Sequence, residues 1–139
     1  MFMEVTMIGI FKIDHICVAV KNLLEAKDRW GRLLGKPEPD MTYRHQPESI
    51  HVARYDVGGV GYEIMASTKE GSEVDRFIRN RGEGIMLIAF KVPNTEEAMR
   101  ILKENDFQLI DHEPRIWRQS RYAFLSPNFM NGVLVEIID

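Results

Sequence analysis

A chain of 139 residues with one cysteine, Cys17, is long enough to bury a hydrophobic core and excludes an intrachain disulfide framework. A net charge of -3 and a pI near 5.8 exclude a general attraction to nucleic acid or to an anionic membrane surface. With 45% apolar and 28% charged residues and no run of ~18 apolar residues, the composition is that of a globular protein of the reducing cytoplasm.

Residues 1–11 are apolar but carry Glu4 and no basic leader, so an N-terminal arm or extra edge strand is expected there rather than a signal peptide. From Ile13 to Val20, alternation predicts a strand with Ile16, Val18 and Val20 facing a core and His15, Cys17 and Ala19 on the other face. Two small neighbours leave room in front of His15. Such an imidazole is either a core histidine satisfied by one hydrogen bond, or a metal ligand or acid/base group. Nothing near Cys17 in sequence would lower its pKa, so it reads as a small filler. Asn22, with Glu25 three positions on, marks a helix start, and Leu23, Ala26, Trp30, Leu33 and Leu34 recur at helical spacing up to Gly35. Strands are expected around Tyr43–His45, over 50–57 and over 61–66, with Gly58 and Gly59 turning the chain between the last two. A helix over 72–81 places Val74, Phe77 and Ile78 inward and stops at Gly82.

The pattern then restarts. A strand over 85–92 leads to Asn94 and a helix carrying Glu97, Ala98, Ile101 and Leu102, followed by strands over 107–113, 122–125 and 133–138. A shift of 72 lays Val20 on Val92, Asn22 on Asn94, Glu25 on Glu97 and Ala26 on Ala98, and a shift of 73 lays Glu63 on Glu136. The expected fold is α+β: two βαβββ modules, about 12–68 and 84–139, joined by the 72–81 helix in a single domain over 12–139. Together they would form one curved mixed sheet around a central cavity. His15 corresponds to Leu87, and Glu63 to Glu136, so these four positions are expected to converge there. A carboxylate alternating with apolar neighbours is either a solvated stray charge or, if buried, one that requires a cation or a hydrogen-bond donor.

Ile-Asp-His-Ile at 13–16, Arg-Gly-Glu-Gly-Ile at 81–85, Leu-Ile-Asp at 109–111 with Glu-Pro-Arg at 113–115, and Gly-Val-Leu-Val-Glu at 132–136 carry a resemblance. With them the chain resembles the vicinal oxygen chelate (glyoxalase / bleomycin resistance / dioxygenase) superfamily, and most closely its methylmalonyl-CoA epimerases, from Lys12 to Asp139. The resemblance implies a glyoxalase-like fold and a divalent ion held by His15, Glu63 and Glu136. The second histidine of the family falls on Leu87, which offers no ligand atom. One imidazole and two carboxylates suit Mn, Mg or Fe, the lost imidazole weakening binding and shifting preference away from Co, whereas a leucine there also suits a dry, metal-free cavity. Gln46-Pro47-Glu48 matches the family segment that carries one base, which makes Glu48 one acid/base group and Glu136 the other.

Where the family has a glycine-rich segment after Glu-Pro-Arg, this chain has Ile116 to Arg121. Trp117, Arg118 and Arg121 are either a grip on an aromatic or carboxylated ligand or a solvated strand edge, and Leu87 would be an apolar wall of the same substrate site. The implied function is that of an epimerase-like isomerase abstracting a proton α to a carbonyl or thioester with the help of a metal. Its substrate would be a small molecule, an acyl-CoA in the family case, and its assembly a cytoplasmic homodimer. The alternatives are a metal-free small-molecule binding protein on the same fold, and lyase or dioxygenase chemistry on another substrate. His51 and His112 lie in strand-like stretches of unfixed facing, and either would replace the missing ligand if it turned inward.

Overall fold

The computed structural model describes residues 8–139, so the first seven residues of the expected arm lie outside the described residues. The chain divides into two compact units: His15–Met86, and Leu87–Asp139 together with the residues leading up to Asp14. In chain order the elements are β1 (Lys12–Ala19), α1 (Leu23–Leu34), β2 (Met41–His45), a 3-10 turn (Gln46–Glu48), β3 (Ile50–Val57), β4 (Val60–Ser67) and α2 (Glu73–Arg81). They continue as β5 (Gly84–Lys91), α3 (Thr95–Glu104), β6 (Arg115–Trp117), β7 (Ser120–Leu125) and β8 (Leu134–Ile138). Parallel and antiparallel pairings coexist, so the fold is mixed α+β.

In the first unit the strands run in the order β2-β3-β4-β1. β1 is parallel to β4, with His15 opposite Gly61 and Cys17 opposite Glu63, while β2, β3 and β4 form an antiparallel meander. Gly58 and Gly59 make the β3–β4 turn at φ 56 and 83. Positive φ at both central residues is what a two-residue hairpin of the right twist requires. One face of these strands presents Val18, Val20, Ala53, Tyr55, Ile64 and Ala66 to Leu23, Ala26, Trp30 and Leu34 of α1. The helix is amphipathic and burying that stripe positions it. Asn22 caps its start by accepting from the Glu25 amide at 3.0 Å, and Gly35 ends it in the left-handed conformation.

The second unit repeats the logic in the order β5-β8-β7-β6, with β5 parallel to β8. Val135 and Ile137 of β8 and Ala123 and Leu125 of β7 pack on Ala98, Met99 and Leu102 of α3. Asn94 caps α3 as Asn22 caps α1, accepting from the Glu97 amide at 2.9 Å. The strand expected over 107–113 does not form; Leu109 makes one isolated bridge to Leu125. Instead the Asp111 carboxylate takes the Phe124 amide at 2.8 Å and Arg115 Nε at 2.9 Å. A side chain there does the work of a strand carbonyl, and regular pairing resumes at Arg115 in β6.

Candidate functional site

The strand period of two carries His15 and Cys17 of β1, Gly61 and Glu63 of β4, Arg54 of β3 and Tyr43 of β2 to the face of the first unit that turns away from α1. Glu63 is 2% exposed and His15 6% exposed. Burying a carboxylate so deeply is costly unless its lone pairs and its charge are met. Tyr43 Oη donates to Glu63 Oε1 at 2.8 Å, and the Cys17 thiol donates to the same oxygen at 3.7 Å. Arg54 Nη1 donates to Oε2 at 2.9 Å. Arg54 is held from its other edge by Asp56, whose Oδ1 accepts from Nε at 3.0 Å.

Gly61 makes this ion pair possible. A Cβ at position 61 would lie 2.2 Å from the Arg54 guanidinium carbon, so the guanidinium occupies the space that any side chain there would fill. Sequence reasoning passed over both Arg54 and Tyr43. The signal for Arg54 was present: a two-residue turn at Gly58–Gly59 pairs Val57 with Val60, and counting outward sets Arg54 opposite Glu63. Tyr43 carried no comparable signal, because the β2 register depends on the 3-10 turn that follows it.

His15, Cys17 and Glu63 each place one ligand atom within 4.8 Å of the others. As residue types, imidazole, thiolate and carboxylate are a workable metal set. As arranged, they do not fit a divalent ion. Of the roughly four lone-pair positions of a carboxylate, those on Oε1 already accept from Tyr43 and Cys17, and Cys17 donates, so it carries its proton. An ion on Oε2 would press against the Arg54 guanidinium. Two like unit charges at ~4 Å repel by about 4 kcal/mol at an effective dielectric of ~20, and a divalent ion doubles that.

Glu48 closes the 3-10 turn directly after β2, next to His45, whose side chain shares the Tyr43 face. Its carboxylate lies 4.0 Å from His45 Nε2, and both side chains are more than four-fifths covered. Ser49 follows in the left-handed region at φ 55, a conformation of non-glycine residues that needs anchoring. The Ser49 carbonyl accepts from the Thr68 amide at 2.8 Å, which ties the turn to the end of β4. His51 faces the other way. It alternates with Val52 onto the α1 side, so it cannot replace a ligand beside Glu63; burial, then Arg44 and Lys27, hold its pKa below the ordinary value. His112 is exposed in the bend before β6, where its carbonyl accepts from Lys103.

In the second unit, Glu136 and Leu87 are buried on the strand face away from α3. Glu136 pairs with Ala89 on one side and Phe124 on the other. The repeated glutamates therefore have different cross-strand neighbours: a cation opposite Glu63, an aromatic ring opposite Glu136. The Arg115 guanidinium lies over that ring, 4.7 Å from its centroid, and is directed to Asp111. Trp117 and Arg118 stack on each other at 4.6 Å in the β6–β7 hairpin. Arg121 turns toward α3: its guanidinium lies 4.0 Å from Glu96, its carbonyl accepts from the Thr95 hydroxyl and its amide donates to Asp139. The structure thus brings His15, Glu63 and Cys17 together, sets Glu48 beside His45, and gives Arg121 a tie to the start of α3.

The protein YqjC of Bacillus subtilis (strain 168), itself uncharacterized, is 31% identical over 133 residues, covering 92% of this chain and 91% of its own. The mitochondrial methylmalonyl-CoA epimerase of Dictyostelium discoideum is 29% identical over 134 residues, 94% of this chain and 79% of its own. A solved structure of methylmalonyl-CoA epimerase in complex with methylmalonyl-CoA and NH4+ has the same fold, with a TM-score of 0.87 at 24% identity over 94% of each chain. Residues 14–124 match the profile of one family, and with these likenesses along nearly the whole length, the chain belongs to the Glyoxalase/Bleomycin resistance protein/Dioxygenase superfamily.

Proposed function

We propose that the protein is an epimerase-like isomerase that removes and returns a proton α to a carbonyl or thioester, with an acyl-CoA as substrate and a cytoplasmic homodimer as its assembly. The observation that carries this reading is Glu48, a carboxylate held beside His45 in a pinned, strained turn, in a chain similar to methylmalonyl-CoA epimerases. Glu48 takes the proton from the α-carbon. Glu136 is assigned as the second acid/base group, returning the proton. His15 is assigned to the enolate oxygen, where a fixed donor acts on charge that develops only as the C–H bond breaks. Leu87, Trp117 and Arg118 would contact the rest of the substrate.

Incubation with methylmalonyl-CoA in D₂O, with α-deuterium read by mass spectrometry, tests the reaction. The wild-type chain should exchange well above the uncatalysed rate. Glu48→Gln should lose about 10²–10⁴-fold of it, the range for a positioned base, with its circular dichroism unchanged. Full activity in Glu48→Gln would sink the base assignment, and no exchange by the wild type would sink the isomerase reading. A second reading, a binding protein that only sequesters such a ligand, is favoured by buried Leu87 at the family's histidine position. It would show acyl-CoA binding by calorimetry without exchange.

A further inference from the structure

The superfamily resemblance implies a metal at His15 and Glu63, yet the side chains around Glu63 already supply a cation. We propose that Arg54 fills the role of the divalent ion, making the His15–Cys17–Glu63 cluster a metal-independent site built on an internal ion pair. Four observations converge. Arg54 Nη1 meets Glu63 Oε2 at 2.9 Å, and the carboxylate is 3% exposed at its side chain. The guanidinium also meets Asp56 at its second edge, Nε to Oδ1 at 3.0 Å. Gly61 leaves open the volume the guanidinium fills. Tyr43 and the Cys17 thiol complete the other oxygen, and a donating thiol is the protonated, non-ligating form. A guanidinium stays charged at all working pH values and matches a carboxylate in plane, whereas an ion must be recruited from solution.

This concerns the ion chemistry of the cluster and does not rest on the isomerase reading. Whether the protein turns over an acyl-CoA or only binds one, Glu63 is the fixed counter-ion of Arg54. The pair also gives the two repeated glutamates different strand neighbours, since Glu63 faces Arg54 within its own hairpin and Glu136 faces Phe124.

The test is metal binding itself. The purified wild-type chain, with and without prior chelator treatment, is titrated with Co²⁺ and Mn²⁺ by calorimetry, and its melting temperature is followed in parallel. The wild type should carry no stoichiometric ion, and its melting temperature should respond neither to chelator nor to added metal. Arg54→Met removes the charge while keeping an apolar stem, leaving His15, Cys17 and Glu63 to recruit a cation. It should bind one Co²⁺ per chain and melt at a higher temperature in its presence, where the wild type does neither, and a folded Arg54→Met that stays silent to Co²⁺ would overturn the proposal. A stoichiometric ion in the wild type, or a Co²⁺–thiolate absorption band on titrating it, would overturn the proposal. If Arg54→Met does not fold, the double variant Arg54→Met with Glu63→Gln removes both charges. It should fold and stay silent to Co²⁺, while a cation site independent of Arg54 would still appear in the wild type.

Discussion

Glu63 and Glu136 occupy repeat-related positions and share the same residue type, yet the residues across the strand from them differ in kind. Arg54 lies across from one and Phe124 across from the other. The glutamates themselves were legible from internal repetition, and Arg54 was legible from hairpin arithmetic that the sequence reading did not carry through. The His51 facing was not legible, because alternation alone leaves the choice of face open until a neighbour such as Ala53 or Tyr55 is known to be core. Burial of His51 on the helix side, reinforced by Arg44 and Lys27, lowers its pKa in the folded state below the ordinary 6.5. The unfolded chain therefore binds more protons below that value. Stability is fully present above pH 6.5 and lost as pH falls toward the lower folded pKa. Urea midpoints measured across that window should decline, and His51→Gln should flatten the decline; an unaltered slope would show that another group governs it.

The helices were the most legible elements, because their caps are chemical signals as well as apolar ones. Asn22 and Asn94 each place an amide oxygen on the third helical amide, Glu25 and Glu97 respectively. Asn22→Ala and Asn94→Ala should each cost about 1 kcal/mol, read from denaturant unfolding. Equal losses would follow from equal geometry, because Asp139 satisfies a different donor of α3, the Thr95 amide. The missing strand over 107–113 marks where alternation misleads. Phe107 and Leu109 are apolar and half-buried against the α3 core, as strand residues would be, but backbone bonds to β7 stop at Ile110, and Asp111 meets the Phe124 amide with its carboxylate instead. Periodicity reports which side chains are buried. It does not report whether a backbone carbonyl or a side-chain oxygen satisfies the neighbouring amide.

Across the chain, the architecture could be read because two halves obey one plan, and a repeated plan constrains a fold more than any single segment does. The activity could not be read with the same security, since one fold carries isomerases, lyases, dioxygenases and binding proteins, and the differences lie in a few side chains. The solitary cysteine offers a way to watch this whole assembly. Cys17 is 2% exposed, with its proton directed into Glu63. An aromatic disulfide reagent can reach that sulfur only when the strand face parts, so the modification rate becomes a clock for opening. A rate that climbs with urea in step with complete unfolding is the expected result and would assign the ion pair to the last structure to yield. A rate indifferent to urea would reveal instead a private door into the site, opening while the rest of the chain stays folded.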